Sequence, residues 1–340
     1  MKYLSGILLA LSLLLGACDK EESTSKLQQK NIPVNFSGDI PETKATKEYS
    51  AEADLTSIGV FAYFTQGNFD ESTAVPNFMY NQLVEKKTDG IWSYNPVKFW
   101  PNNPSDKISF FAYAPYTNEA TSGSSNLTFQ EKTTASGFPT LKYTVPVAEA
   151  DQIDLLAAIP LMNRNYTTSN KTVKFQLNHA LVKIAIYVKS NDNSQGKVLT
   201  AFSLKGEKSG TLTYRPPVDA SDKGFDWIYP ATAVKETFTA TAKNFAVPDS
   251  ITAEKKLLAT FFLMPKSTGN TFNITYTYTG SNGLETIILN DQPLPALDQW
   301  KQGAFVSYTF GIEKKVRVSV TTDTHPAWNN GSTETVDGTI

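Results

Sequence analysis

The chain has 340 residues, 12% of them aromatic, with 31 Lys and Arg against 33 Asp and Glu. This near balance leaves no large basic field and argues against a nucleic-acid partner. One cysteine and two histidines exclude a disulfide framework, a zinc site of the His/Cys kind and a Cys-His nucleophile.

Lys2 precedes an uncharged apolar run from Ile7 to Leu15 that is too short to span a bilayer. Leu15-Gly16-Ala17-Cys18 then sets small residues directly before the sole cysteine, which is the pattern of a lipobox. Cleavage between Ala17 and Cys18 makes Cys18 the lipidated first residue of the mature chain, and its several acyl chains supply the stable anchoring that one chain does not. The competing reading is an ordinary secretory signal with an incidental cysteine. Removing residues 1–17 takes Lys2 with them, so the formal net charge moves from −2 to −3. About 320 mature residues exceed what one core usually organises, so two domains are expected. No second apolar run approaches the length of a transmembrane helix.

Residues 18–30 are polar and charged apart from Leu27 and read as a solvated tether. Within it, Lys20-Glu21-Glu22 resembles the charged export signal of Bacteroidetes surface lipoproteins, and it reads equally as soluble linker. Ile32, Val34 and Phe36 alternate with Pro33 and Asn35 as a first strand. Pro33 cannot donate to a ladder, so that strand belongs at an edge or a sheet end. Gly38 to Ser50 is turn-rich and carries Lys44 and Lys47.

Ile58 to Tyr63 and Ile108 to Tyr113 are short aromatic runs bounded by polar or proline-rich stretches, as buried strands are. Val173, Phe175 and Leu177 alternate in one phase, and Ala180, Val182, Ile184, Ile186 and Val188 in the opposite one. A β-bulge near Asn178-His179 is the expected source of the slip. Phe272, Ile274, Tyr276 and Tyr278, followed by Gly280-Ser281-Asn282-Gly283 and Glu285 to Leu289, read as a hairpin. Tyr308 to Ile312 and Val316 to Val320 form a late strand or pair of strands. No long amphipathic helix is apparent, and many short strands between turn residues indicate an all-β protein of sandwiches. The polar connection Asn163 to Lys171 divides it into 31–168 and 169–340.

His179 lies within a strand and reads as a structural histidine, and His325 precedes Pro326 with no neighbouring signature. No phosphate loop and no G-x-S-x-G elbow is present. Asp151 and Asp154 are spaced as surface charges more than as a glycosidase pair. Trp92, Tyr94, Phe99 and Trp100 suit core or edge packing, with stacking on sugar rings as the other reading. Asp249-Ser250-Ile251 matches a short O-glycosylation pattern at Ser250. No enzyme and no cofactor is expected.

Ser57 to Tyr63, Met79-Tyr80-Asn81, Trp92-Ser93-Tyr94, Phe99-Trp100-Pro101-Asn102, Asp106 to Tyr116, Gln152 to Leu156, His179 to Ile184 and Trp300 to Ile312, in this order, resemble the Bacteroidetes fimbrillin family. The resemblance implies a surface-exposed outer-membrane lipoprotein with two transthyretin-like β-sandwich domains in tandem. It implies a subunit (shaft, tip or anchor) of a type V pilus supporting adhesion, whose partners are other fimbrial subunits and surface ligands of host or bacterial origin. It also implies that a trypsin-like protease removes the first strand, carrying Ile32, Val34 and Phe36, and that a strand of another subunit replaces it. The donor expected is the neighbour's segment around Val316 to Thr322 or beyond Trp328. The family often carries arginine where Lys44 and Lys47 stand here. The only arginines are Arg164, Arg215 and Arg317, so an arginine-specific protease finds no site near the first strand, and an uncleaved member would remain a lipidated anchor. The alternative function is a surface glycan-binding lipoprotein of a polysaccharide-uptake system.

The lipobox predicts an acylated Cys18 at the mature N-terminus by mass spectrometry, and an unlipidated precursor for Cys18→Ala. A mature chain that retains residues 1–17, or that is cut elsewhere with Cys18 unmodified, contradicts it.

Overall fold

A computed structural model describes residues 31–40, 55–118, 126–130, 135–167, 171–232, 234–295, 300–314, 318–324 and 338–339. In chain order the strands are β1 (Asn35–Asp39), β2 (Ser57–Thr65), β3 (Met79–Lys86), β4 (Trp92–Ser93), β5 (Lys107–Ala114), β6 (Leu127–Phe129), β7 (Thr140–Thr144), β8 (Leu156–Ala158), β9 (Leu161–Arg164), β10 (Thr172–His179) and β11 (Val182–Ser190). They continue as β12 (Val198–Glu207), β13 (Ser209–Tyr214), β14 (Phe225–Ile228), β15 (Lys235–Thr239), β16 (Phe245–Ala246), β17 (Lys256–Leu263), β18 (Thr271–Gly280), β19 (Gly283–Pro293), β20 (Phe305–Ile312), β21 (Val318–Thr324) and β22 (Gly338–Thr339). The fold is all-β, and no helix among the described residues is long and apolar enough to cross a membrane.

An eight-stranded sheet runs β1-β10-β8-β5-β2-β3-β4, with β9 paired to β5, and a four-stranded sheet runs β14-β13-β7-β6. Strands β2 and β5 sit side by side in the larger sheet and are covered on both faces, which is why they read as continuous apolar runs rather than alternating ones. One face sends Phe61, Tyr63, Phe111 and Tyr113 toward the smaller sheet. There Phe111 and Tyr214 have ring centroids 5.4 Å apart, and the buried Tyr214 hydroxyl donates to the Ala112 carbonyl at 2.6 Å. The other face turns Ile58, Val60, Ala62, Ile108, Phe110 and Ala112 into a separate cluster with Val34, Phe36, Trp100, Val173 and Phe175.

Two further five-stranded sheets, β17-β11-β20-β21-β22 and β15-β12-β18-β19 with β16 on β12, face each other across Phe202, Phe272 and Phe310. The Phe310 ring stands edge-on at 5.0 Å and 4.9 Å from the other two. The expected hairpin is present as β18 and β19, with Gly280 opposite Gly283 across the loop Ser281-Asn282, and Gly283 takes φ +107°, a conformation glycine adopts freely. From Val318 onward the stretch expected as a donor strand lies in this chain as β21, antiparallel to β20; Val316 and Trp328 lie outside the described residues.

The phase slip between β10 and β11 has a different cause from the expected bulge. β10 keeps regular register with β8 through His179, opposite Leu156, and Ala180-Leu181 then carries the chain into another sheet. Each strand therefore has its own phase because each faces its own partner. The step is fixed by three contacts: the Ala180 amide donates to Leu155 O at 2.8 Å, Trp227 Nε1 donates to Ala180 O at 2.7 Å, and His179 Nδ1 lies 2.9 Å from Asp154 Oδ1. Ile32–Ile340 forms one compact unit. Sheet membership changes after His179, and the hairpin β13-β14 returns from the later half to pair with β7.

Gly59 lies opposite Tyr113, and a Cβ there would meet ring carbons of Tyr113 at 2.2 and 2.5 Å. That ring is fully buried and cannot swing aside, so Gly59→Ala is expected to destabilise the fold by about 1–3 kcal/mol. The measurement is the urea midpoint, which falls at unchanged slope; an unshifted midpoint contradicts the packing described.

Candidate functional site

The site is the seat of β1. Alternation continues past the three residues expected: Val34, Phe36 and Ile40 are buried, Ile32 is half-buried, and Pro33, Asn35 and Asp39 face solvent. β1 stands at the end of the eight-stranded sheet and pairs parallel to β10, with Phe36 opposite Val173 and Gly38 opposite Phe175. Its N-terminal approach is clamped from the other side by Lys98 to Trp100. There the Val34 amide donates to Lys98 O and the Trp100 amide to Ile32 O, both at 2.9 Å, around the Pro33 to Phe99 bridge. Proline is tolerated at this point because its neighbours supply the donors.

Phe36 fills the groove. Its ring stacks on Phe175 at 5.8 Å and 8°, and meets Phe110 edge-on at 5.9 Å and Tyr94 at 5.2 Å. The Tyr94 hydroxyl donates to Val34 O at 2.8 Å and accepts from the Lys98 amide at 3.2 Å. Burial raises the Tyr94 phenol above its ordinary value against the opposing pull of the Lys98 amide, so the hydroxyl stays protonated and keeps donating. Gly38 completes the fit: a Cβ there would lie 2.8 Å from Leu55 Cδ2, with Leu177 and Trp92 next nearest. Fully burying Val34, Phe36 and Ile40 contributes roughly 5–9 kcal/mol in all. That is comparable to the entire net stability of a typical domain, so the groove cannot stand empty without consequence.

The aromatic group expected to pack or to stack on sugars packs. Trp100 is buried against Phe110 at 5.7 Å, Trp92 is half-buried in the same cluster, and Tyr94 is spent on β1, while Phe99 is exposed. Of the four, only Tyr94 lines the shallow cleft formed with Gln82, Glu85, Lys87, Ser93 and Asn95. His179 and Asp154 meet as a buried pair, Asp151 is exposed, and among the described residues no group of three or more His, Cys, Asp and Glu is placed to hold a metal. Ser250 is half-buried in a turn, its Oγ 2.9 Å from Thr252 Oγ1. Ala17, Cys18, Lys44, Lys47 and His325 lie outside the described residues. Ile40 and Gly38 were missed by sequence reasoning although Phe36 to Ile40 continues the alternation. The Tyr94 clamp, sixty residues from its acceptor, leaves no local signal.

A family model of fimbrillin-like proteins matches residues 43–326. Fimbrium subunit Fim1C of Phocaeicola vulgatus is 29% identical over 231 residues, 64% of this chain and 60% of that protein, so the match spans less than two thirds of the relative's length. The crystal structure of a fimbrial protein from Bacteroides vulgatus shares the fold, with a TM-score of 0.66 at 19% identity over 87% of this chain and 99% of the other. With most of its length matched by the family model, the chain belongs to the fimbrillin-like family.

Proposed function

We propose that this protein is a structural subunit of a cell-surface type V fimbria, held in the outer membrane by lipid on Cys18 until it is processed, and assembled by exchange of its first strand. The observation that supports this most is β1 itself. It ends a sheet, it fills an apolar groove with alternate side chains, and it precedes the segment carrying Lys44 and Lys47. Cutting that segment would leave β1 attached only by non-covalent contacts. A chain from another subunit with matching alternation then gains the backbone partners of β10 and the same apolar seat. Membership in the fimbrillin-like family supports the same role, and the partners are accordingly other fimbrial subunits. Two transthyretin-like sandwiches, divided after His179 with hairpin β13-β14 crossing back, are the architecture we assign to the four sheets. We assign no catalytic step: His179 and Asp154 are buried, and they tie β10 to the stretch before β8.

Limited trypsin digestion of the chain is expected to cut first at Lys44 or Lys47 and to leave the rest intact. The nicked protein should grow into long polymers while the uncut protein does not polymerise, as followed by light scattering and electron microscopy. A nicked protein that releases its N-terminal fragment and remains a stable monomer at high concentration contradicts assembly by strand exchange.

A further inference from the structure

The sheet β15-β12-β18-β19 treats its two edges differently. At the β15 end, the segment 147–152 closes both that edge and the β17 edge of the facing sheet. Val147 O accepts the Thr239 amide at 2.9 Å, the two Glu149 carboxylate oxygens accept the Thr260 amide at 2.9 Å and the Thr241 amide at 3.0 Å, and Gln152 Oε1 accepts the Phe262 amide at 2.9 Å. Donors that an open edge would offer to another chain are occupied. At the other end β19 pairs, among the described residues, with β18 alone. It is eleven residues long, and Leu284 and Ile288 are 73% and 61% exposed. A long edge with exposed apolar side chains is what soluble proteins normally avoid.

The hairpin fixes how this edge presents itself. Gly280 and Gly283 close a two-residue loop, and the closing pair of such a hairpin exchanges both backbone hydrogen bonds. Glu285, Ile287 and Leu289 therefore direct their backbone groups at β18, and Leu284, Thr286 and Ile288 direct theirs away from it. The side chains of these last three share the outer face with Thr275, Thr277 and Thr279, so that strip carries no charge.

We infer that β19 is a self-pairing edge: the β19 strands of two copies of this chain pair antiparallel about a two-fold axis at Thr286, joining their sheets into one. In this register Thr286 faces Thr286 of the second copy, and Leu284 faces Ile288 of the second copy twice over, so the two exposed apolar residues cover each other. Glu285 falls opposite Ile287 of the second copy, its carboxylate already accepting from the Tyr278 hydroxyl at 2.6 Å. Moving the axis two residues on, to Ile288, would set Glu285 against Asp291 of the second copy, like against like, and would run into the irregularity where Asp291 takes φ 49°. Charge and backbone geometry together select the Thr286 register. About seven residues per copy make a small interface, so a single pair is weak and a polymer carrying many copies multiplies it. That last use, side-by-side contact between fimbriae, rests on the fimbrial reading above; the pairing itself does not.

The test uses the uncut full chain in mild detergent, with Cys18→Ala removing its one native thiol, so that β1 stays seated and strand exchange plays no part. Adding Thr286→Cys should give a covalent dimer with a short bis-maleimide, because that residue meets itself on the axis. Leu284→Cys and Ile288→Cys chains should cross-link when mixed, far better than either alone, and Thr279→Cys should stay monomeric. Sedimentation should show concentration-dependent dimers that are lost in Ile288→Lys, with an unchanged circular dichroism spectrum and melting temperature. Cross-linking without this register preference, or a chain that is monomeric at every concentration, overturns the proposal. A failure of this test would leave trypsin-triggered assembly untouched, and the reverse also holds.

Discussion

The outer cluster of the eight-stranded sheet depends on the seating of Phe36 among Phe175, Phe110 and Tyr94. This contact holds an edge strand to the end of an eight-stranded sheet and at the same time fills the cluster behind β2 and β5. A core residue usually belongs to the middle of a fold, where its removal simply unfolds the protein. Here it belongs to an edge strand at the end of its sheet. The same few side chains therefore decide both whether the sheet is stable and whether the groove is available. Tyr94 makes the seat selective for main chain as well as side chain, because its hydroxyl reads the Val34 carbonyl. Any replacement strand meets that donor at the same place, and meets Leu55 where Gly38 now lies.

The two sheet pairs are coupled by a second constraint, the exit of β10. His179 ends that strand in a buried pair with Asp154, and the next residue is gripped by Leu155 and Trp227. Trp227 comes from β14, part of a hairpin reached only after β11 and β12 have been laid down in the other sheets. The chain is thus stitched across the junction twice, once by the step at Ala180-Leu181 and once by the return of β13 and β14. Buried polar groups at such a junction cost stability unless partnered, and here His179 Nδ1, the Ala180 amide and the Ala180 carbonyl each have a partner.

How much of this was legible depended on range. The run Ile58 to Tyr63 announced a strand covered on both faces, and the strict alternation from Phe272 to Tyr278 announced one with a wet side; both are present. These patterns are local, and the physics that makes them is local. The slip at Asn178-His179 was visible too, but a change of sheet and a bulge leave the same trace in a sequence, and only the partner strands tell them apart. The parallel pairing of β1 with β10 spans 137 positions between Asn35 and Thr172 and leaves no trace at all, and neither does the Tyr94 clamp. Pro33 indicated an edge, yet nothing in the sequence named the strand beside it.

The central claim is that the groove under β1 recognises an extended strand by its alternation. The most direct measurement is uptake of a fluorescent peptide copying residues 32–40 by the trypsin-nicked protein, read by anisotropy. The account predicts saturable uptake that displaces the endogenous fragment, with little uptake for a peptide carrying Phe36→Asp. Equal uptake of both peptides, or of neither, would contradict it.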